Sequence, residues 1–395
     1  MEKSILHRLF SGLRAGGLEV RYWDGSRGRY GDGETRVRLV INDPSVFPRV
    51  FNEPELAFGE AYMDGRVEVE GDLHDLVRLA IVNRDALAGE SSNRLGLRVL
   101  KSFPRFRSAA RQKEDVQYHY DLGNDFFRLW LDETMSYSCA YFKTPEDTLF
   151  QAQLNKIDHI LRKLQLSPGQ TLLDIGSGWG WLIIRAAEQY GVKALGITLS
   201  EEQTALSRRR VAERGLEGQV EVELMDYRLL AGKGVQFDRV VSVGMFEHVG
   251  RDRLHNYMES VQRLLVPGGL SMLHTITHLK EDPVNAWIEK YIFPGGYIPS
   301  LRETIWLLPE YDFHLLDVES LRLHYVRTLE HWAGNYEAVL DQVRAQYGDR
   351  FSRMWRFYLN SCAASFRCSG LDVHQVLFSR GLNNDLALTR DHIYA

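Results

Sequence analysis

A short stretch near the middle of the chain, Thr171 to Gly180, constrains the fold more than any other. Its apolar half, which ends at Ile175, is typical of a buried strand, and glycines follow at once, before a helix-like segment from Trp181 to Tyr190. Because glycine has no Cβ, Gly176 and Gly178 allow a sharp turn and a close approach of the backbone to a ligand. A strand, a glycine turn and a helix N-terminus together predict a nucleotide-cofactor cradle.

The spacing of the glycines discriminates between cofactors. The letters G-S-G-W-G are closer together than the G-x-G-x-x-G of dinucleotide-binding proteins, and no lysine follows them as in a phosphate-binding loop. A turn of this kind after the acidic strand end at Asp174 suits S-adenosylmethionine, which carries a carboxylate and an amine but no phosphate. The alternative is an ordinary strand-to-helix turn.

Strands alternate with helices from about residue 114 onward, which predicts an α/β fold with a mostly parallel sheet and helices on both faces. In such a sheet ligands bind beyond the carboxyl ends of the strands. The aromatic-rich residues 281–310 interrupt the alternation, and we expect them to cover an apolar site. The predicted strands are 171–175, 193–198, 220–225, 237–243, 269–277 and 373–378; the predicted helices are 155–164, 181–190, 200–214 and 253–265, with further helices in 330–362.

The first 90 residues have a different pattern, in which short alternating segments and turn signals predict a small α+β domain without a catalytic constellation. We expect a structural or dimerisation module, and hence a homodimer, or alternatively a module that presents lipid. The predicted elements are an amphipathic helix within 1–17, strands at 18–23, 37–41 and 67–70, and helices near 53–63 and from residue 73.

Residues 91–113 separate the two regions and carry basic residues without a single acid. Aliphatic and aromatic side chains lie between these basic residues, a pattern that can bind an anionic lipid surface. A solvated linker is the alternative. The predicted organisation is therefore a small domain at 1–90, a basic linker at 91–113 and a catalytic domain at 114–395. The basic residues are Arg94, Arg98, Lys101, Arg105, Arg107, Arg111 and Lys113.

Composition excludes several classes of protein. The net charge is −5, so the chain as a whole has no electrostatic attraction to nucleic acid. The three cysteines have no metal-binding spacing and cannot all pair, which suits a reducing cytoplasm. No signal peptide and no apolar stretch long enough to span a bilayer is found in the sequence.

Candidate site residues follow the predicted strands. The Thr198 hydroxyl and the Gln203 amide can bind ribose hydroxyls, and Asp226 with Tyr227 suits an adenine ring, although a helix N-cap is an equally good explanation of Asp226. After the next strand, the flanking apolar residues of the pair Glu247–His248 indicate that one of the two side chains points inward.

Two further residues have competing interpretations. His274 lies among apolar residues, where a core histidine is common, yet it shares a sheet edge with Glu247. Cys139 could be a thiolate nucleophile, but no basic residue lies beside it in the sequence, so a small buried thiol is the better interpretation.

Several motifs, taken in order, resemble those of the cyclopropane-fatty-acyl-phospholipid synthases and their mycolic-acid-modifying relatives. The resemblance covers about residues 114–395, and residues 1–100 resemble the N-terminal domain of the phospholipid-acting bacterial branch. The motifs are Gln117-Tyr118-His119-Tyr120-Asp121, Met135 to Phe142, the glycine turn, Thr198 to Gln203, Gly244 to Gly250, Leu273-His274-Thr275-Ile276 and, for the first domain, Phe58 to Gly65.

The resemblance implies a Rossmann-like class I methyltransferase sheet with helical insertions that cover a lipid. It also implies a bicarbonate ion at the reacting centre, with Glu247, His274 and Tyr325 as side-chain ligands and Cys139 and Ile276 as backbone ligands. No metal ion is implied. The residues that it assigns to S-adenosylmethionine are Tyr137, Ser138, Asp174, Gly176, Gly178, Trp179, Gly180, Thr198, Leu199, Ser200, Gln203, Asp226 and Tyr227.

The expected activity is methylene transfer from S-adenosylmethionine to a cis double bond of a phospholipid acyl chain, which gives a cyclopropane ring. The expected location is the cytoplasm, at the inner face of the membrane. A methyl-branched or methylene product of the same carbocation, a non-catalytic lipid-binding protein and a methyltransferase acting on soluble acceptors are the alternatives.

Overall fold

The computed structural model describes residues 2–46, 49, 53–87 and 122–394. It divides into two compact units: the first comprises residues 1–106, 285–292 and 329–370, and the second comprises residues 107–284, 293–328 and 371–395. The predicted basic linker and the motif at 117–121 lie outside the described residues. In the described part of the chain, no helix is long and apolar enough to cross a bilayer.

The first unit contains a four-stranded sheet in the order β2-β1-β3-β4. Strands β1 and β3 are parallel, and the other neighbours are antiparallel. Alternate residues such as Leu18, Val20 and Leu39 are buried on one face, which confirms the predicted α+β character. The strands are β1 (Gly17–Arg21), β2 (Arg27–Tyr30), β3 (Thr35–Ile41) and β4 (Val67–Gly71), and the helices are Glu2–Phe10, Pro54–Met63, Leu73–Val82 and Arg84–Leu87.

Two later segments also belong to the first unit, although the sequence predicts them to be part of a catalytic domain at 114–395. The helix Ala286–Tyr291 supplies Trp287, whose fully buried ring packs edge-on to Phe357 and lies directly over Gly59. A methyl group at Gly59 would lie 2.4 Å from that ring, so the glycine makes this packing possible. Residues 329–370 add the end of helix Arg322–Ala338, then Leu340–Tyr347 and Asp349–Cys368.

The second unit is built on a seven-stranded sheet in the order β10-β11-β9-β8-β5-β6-β7. The five strands from β5 to β9 are parallel, and β11 pairs antiparallel with both β9 and β10. Apolar clusters pack against the sheet, and helices are layered with it, which confirms the predicted α/β fold. The strands are β5 (Thr171–Ile175), β6 (Lys193–Thr198), β7 (Val220–Leu224), β8 (Phe237–Val243), β9 (Leu265–His278), β10 (Phe313–Ser320) and β11 (Leu371–Arg380).

The helices of the second unit agree with most of the predicted positions. The helix that follows the glycine turn is Trp181–Tyr190, as predicted, and the next one is Glu201–Glu213, N-capped by Ser200. The others are Gly123–Arg128, Leu149–Lys163, Tyr227–Ala231, Leu254–Leu264, Leu301–Leu307 and Asp391–Tyr394.

Two strands of the second unit differ from the prediction. Strand β9 begins at Leu265, ahead of the predicted start at residue 269, and so includes Pro267 and Gly268; the register against β8 shifts between Phe237 and Arg239 and accommodates this irregular start. Strand β10 was not predicted, because it is half-exposed and contains acids that weaken its apolar pattern.

Candidate active site

The glycine turn leaves β5 with its backbone open toward a cavity. Gly176, Gly178 and Gly180 all have positive φ, at 87°, 54° and 84°, a conformation that side chains with a Cβ rarely adopt. The amides of Gly176 and Ser177 donate to the Ile197 carbonyl at 2.9 and 3.0 Å, which fixes the turn against β6. Among the described residues other than its two chain neighbours, no heavy atom lies within 4 Å of the place where a Cβ of Gly178 would be, so a ligand can approach the backbone there.

Twelve of the thirteen residues assigned to S-adenosylmethionine line this one cavity. They come from the loop before Leu149–Lys163 and from the carboxyl ends of β5, β6 and β7, where the α/β fold predicts a ligand. These residues are Tyr137, Ser138, Asp174, Gly176, Gly178, Trp179, Gly180, Thr198, Leu199, Gln203, Asp226 and Tyr227.

Ser200 is the exception and does not line the cavity. Its hydroxyl accepts a hydrogen bond from the Gln203 amide at 3.3 Å, as an N-cap does. Ser200 is thus a helix cap in this structure, and its assignment to the cofactor stays a prediction. Asp226 has both of its predicted features, since it caps the helix Tyr227–Ala231 and also lines the cavity.

Polar atoms in the cavity wall lack partners in a way that suits an amino-acid nucleoside. Asp174 Oδ1, Ser177 Oγ and Tyr227 Oη are buried and have no hydrogen-bond partner among the described residues. Burial raises the pKa of Asp174 to about 7, because desolvation disfavours its charged form and Lys156 only partly offsets that effect. A ligand that brings an amine and hydroxyls can satisfy such groups, so the residues present fit S-adenosylmethionine.

Aromatic side chains form one wall of the cavity. The rings of Tyr137 and Trp179 each lie 5.5 Å from the ring of Phe127, and the Trp179 indole donates to the Asn124 amide oxygen at 2.6 Å. The sequence analysis did not find Phe127 and Asn124, because they lie in the short helix Gly123–Arg128 without a recognisable motif.

A second group of polar residues surrounds the carboxyl end of β9. Glu247 Oε1 accepts a hydrogen bond from the Ile276 amide at 2.7 Å, and the Gly244 amide donates to the His274 carbonyl at 2.9 Å. Register places His274 opposite Gln375 of β11, whose amide contacts His274 Nδ1 at 3.2 Å. The structure therefore brings together Glu247, His274 and Ile276 as the sequence predicts.

Backbone pairing also places Cys139 and Tyr325 beside this group. The Leu321 amide donates to the carbonyl of Val373, the residue opposite Ile276, at 2.7 Å. Tyr325 lies one helical turn further on, and its amide donates to the Leu321 carbonyl, which Cys139 Sγ also approaches at 3.7 Å. The five residues predicted to be catalytic thus converge on the ends of β9 and β11.

Burial sets the protonation states in this group. Desolvation raises the pKa of Glu247, and the bond from Ile276 opposes that rise. Desolvation also holds the pKa of His274 well below its usual range, so the imidazole is neutral. Desolvation raises the pKa of the Cys139 thiol, so the sulfur stays protonated. Cys139 is therefore the small buried thiol that the sequence favours.

Three buried polar atoms of this group have no hydrogen-bond partner in the described part of the chain. They are Glu247 Oε2, His274 Nε2 and Gln375 Oε1. The Gln375 NH2 group faces Nδ1 of the neutral imidazole; in this orientation Nε2 carries the ring proton and is a donor without an acceptor among the described residues. A donor and a carboxyl oxygen left open in an apolar environment fit a small oxyacid anion such as bicarbonate.

The aromatic residues expected to cover the site divide between the two units. Phe293 packs against His248 with ring centroids 5.7 Å apart, and the Tyr297 amide donates to the Glu247 carbonyl at 2.9 Å. Tyr291, by contrast, belongs to the first unit, where its hydroxyl donates to Glu60 at 2.8 Å. The prediction that residues 281–310 cover an apolar site stays a prediction, and the part that ends at residue 292 packs within the first unit.

Comparison with known proteins agrees with this geometry. The profile of the mycolic acid cyclopropane synthetase family matches residues 107–376, and a domain of unknown function matches residues 5–92. The cyclopropane-fatty-acyl-phospholipid synthase of Escherichia coli is 40% identical over 91% of this chain and 92% of its own length. A probable fatty acid methyltransferase of Pseudomonas putida is 38% identical over 95% of this chain and 96% of its own length.

A solved structure gives the same result. The mycolic acid cyclopropane synthase CmaA1, solved in complex with S-adenosylhomocysteine and a cationic detergent (CTAB), superposes with a TM-score of 0.64 at 37% identity, covering 68% of this chain and 98% of its own. The chain is thus an S-adenosylmethionine-dependent methyltransferase, and it belongs to the mycolic acid cyclopropane synthetase family.

Proposed function

We propose that the protein transfers a methylene group from S-adenosylmethionine to a cis double bond of a phospholipid acyl chain and so forms a cyclopropane ring. The observation that carries this proposal is the pair of unpartnered buried atoms, Glu247 Oε2 and His274 Nε2, at the sheet edge that also bears the cofactor cavity. Similarity to the cyclopropane-fatty-acyl-phospholipid synthase of Escherichia coli, 40% identical over 91% of this chain, supports the phospholipid substrate.

The reaction needs an electrophile, a dry pocket and a base. When bound, S-adenosylmethionine supplies a methyl group on a positively charged sulfur. The alkene forms a bond to that methyl carbon while the carbon–sulfur bond breaks, which leaves a carbocation beside the new methyl group. Loss of a proton from the methyl group lets its electron pair close the three-membered ring. Water would trap the carbocation, so the buried walls near Phe293 and Tyr297 serve to exclude it.

The side chains at β9 hold the proton acceptor. Bicarbonate, when bound, supplies the base that receives the proton from the methyl group. The residues that would hold the ion are His274, through a donor at Nε2, and Glu247, through its open carboxyl oxygen, with Tyr325 and the backbone of Cys139 beside them. The Ile276 amide is already bonded to Glu247, so we assign to Ile276 the orientation of that carboxyl group.

Product analysis tests the proposal. The purified protein is incubated with vesicles of a cis-unsaturated phospholipid and S-adenosylmethionine, and the acyl chains are examined by mass spectrometry. We expect the gain of one CH2 with loss of the double bond. The same gain with retained unsaturation would show instead a methylene or methyl-branched product, the alternative that the name of the Pseudomonas putida relative favours.

Two further measurements address the base and the membrane. Removal of dissolved carbon dioxide slows turnover, and added bicarbonate restores it; indifference to the ion would remove it from the mechanism. Sedimentation with anionic vesicles is expected for a peripheral enzyme at the inner membrane face, and neutralising Arg105, Arg107 and Arg111 weakens it in a salt-dependent way. Dimerisation and the boundaries at residues 90 and 113 stay predictions.

A further inference from the structure

Lys156 is a buried lysine in the wall of the cofactor cavity that the sequence analysis did not single out. It lies in the helix Leu149–Lys163, and only 3% of the residue is exposed. Its ammonium donates to the Ser138 hydroxyl at 2.9 Å. Both residues line the same cavity as the glycine turn.

Within the part of the chain that the structure describes, the charge of Lys156 has no direct counter-ion. Among the described residues, no carboxylate oxygen lies within 4.0 Å of its ammonium, and the neutral Ser138 hydroxyl is its hydrogen-bond partner. Desolvation lowers the pKa of Lys156 to about 8, while Asp132, Cys139 and Asp174 oppose this shift, so the amine is still mostly protonated at neutral pH. A buried ammonium with so little compensation is costly unless a ligand completes its surroundings.

The other basic side chains of the cavity wall are not available for an anion. Arg228 donates to Asp226 through Nε at 2.8 Å and through a second guanidinium nitrogen. Desolvation lowers the pKa of His248 to about 4, so its imidazole is neutral. Of the three basic residues that line the cavity, Lys156 alone offers a charge not already paired with a carboxylate.

Asp174 adds a carboxyl group to the lining of the same cavity. It lies at the end of β5, is 3% exposed, and has its Oδ1 without a partner in the described part of the chain. A cation and a carboxyl group in the wall of one cavity match the carboxylate and ammonium of an α-amino acid. The adenosine end of the ligand is then left for the wall formed by Thr198, Gln203 and Tyr227.

We propose that the Lys156 ammonium binds the carboxylate of the methionine moiety of S-adenosylmethionine, together with the Ser138 hydroxyl. This inference rests on the proposed function, and it assigns to Lys156 a direct role in cofactor affinity. Because the carboxylate is far from the transferred methyl group, Lys156 contributes to cofactor binding rather than to proton transfer.

A pair of ligands that differ only at the amino-acid end tests the inference. Binding of S-adenosylhomocysteine and of 5′-methylthioadenosine, which has the nucleoside and sulfur but no carboxylate, is measured by calorimetry for the full chain and for Lys156→Met. Loss of one charge-assisted hydrogen bond predicts about 10- to 100-fold weaker binding of S-adenosylhomocysteine. Binding of 5′-methylthioadenosine should change by less than about threefold.

Equal weakening of both ligands would show that Lys156 only shapes the cavity, and unchanged affinity for S-adenosylhomocysteine would also overturn the inference. Lys156→Gln keeps a donor for Ser138 without the charge, and it provides the same comparison if the Met variant does not fold. Product analysis with the unaltered protein tests the proposed function separately, since ring formation there does not depend on the outcome for the variants.

Discussion

The substitution Glu247→Gln tests the proposed bicarbonate site without altering a residue that lines the cofactor cavity. In the structure one carboxyl oxygen accepts from the Ile276 amide at 2.7 Å, and the other is buried without a partner among the described residues. A glutamine oxygen can keep the bond to Ile276, while its NH2 group replaces the open oxygen. The variant thus removes the acceptor that bicarbonate needs and leaves the local backbone contact in place.

The expected loss in turnover follows from the role of this group at the reacting centre. Removal of one preorganised group that stabilises a transition state costs about 10²- to 10³-fold in kcat, or about 3–4 kcal/mol. Affinity for S-adenosylhomocysteine should stay within about twofold, because Glu247 is not among the residues that line the cofactor cavity. Thermal stability should not fall, since burial raises the pKa of this carboxyl group and the amide avoids the cost of its charge.

The assay combines methyl transfer from labelled S-adenosylmethionine to vesicles, calorimetric binding of S-adenosylhomocysteine, and thermal unfolding. Glu247→Ala is the matched control, because it leaves the Ile276 amide unpaired and should cost about 1–3 kcal/mol of stability in addition to activity. Parallel losses of turnover and cofactor affinity in Glu247→Gln would contradict the assigned role, as would retention of more than about a tenth of the activity.

Three other predictions concern the glycine turn, the buried acid and the first unit. Gly178→Ala should weaken binding of S-adenosylhomocysteine because the added methyl group enters the cavity. Gly215→Ala is the control: this glycine has a similar φ, 65°, on an exposed turn, so the variant should lose similar stability but no binding. Equal binding of S-adenosylhomocysteine by the two variants would contradict the prediction. Asp174→Asn should raise the Tm of the ligand-free protein near neutral pH but not in acid. Between 3.8 and about 7 the folded carboxyl group retains a proton that the unfolded chain releases, so stability falls as pH rises through this window, and a constant difference in Tm would refute the reasoning. Gly59→Ala should lower the Tm, since the added Cβ would lie 2.4 Å from the Trp287 ring. An unchanged Tm in calorimetry would mean that the Trp287 ring can move away from residue 59 at little cost.

Local patterns predicted the cofactor cradle well because its physics is local. The turn after Ile175 needs glycines at alternate positions of positive φ, and the helix after it needs an apolar face; both requirements are visible in the sequence. The Ser200 cap is visible for the same reason. A motif shows which segment reaches the cavity, but not that the Ser200 hydroxyl of that segment bonds to a backbone amide instead of lining the cavity.

Long-range packing explains what sequence patterns missed. Lys156 is a charged residue within an amphipathic helix, where exposure is the usual expectation, and only the tertiary structure shows that this position faces the cavity. Likewise, Trp287 lies in an aromatic-rich stretch that could cover any apolar surface. Its place over Gly59 depends on a gap created by a residue far away in the sequence.

The convergence of the five residues predicted to be catalytic has a physical explanation in strand register. His274 and Ile276 are two residues apart on β9, so their side chains lie on the same face, and β11 sets Gln375 and Val373 opposite them. Val373 in turn holds Leu321, one helical turn before Tyr325, and Gln375 determines which nitrogen of His274 carries the proton. A one-residue slip of β11 would turn Gln375 and Val373 to the other face of the sheet, so His274 would lose its contact at Nδ1 and Leu321 would lose its bond beside Ile276. Antiparallel β11 therefore positions His274 and the segment that leads to Tyr325.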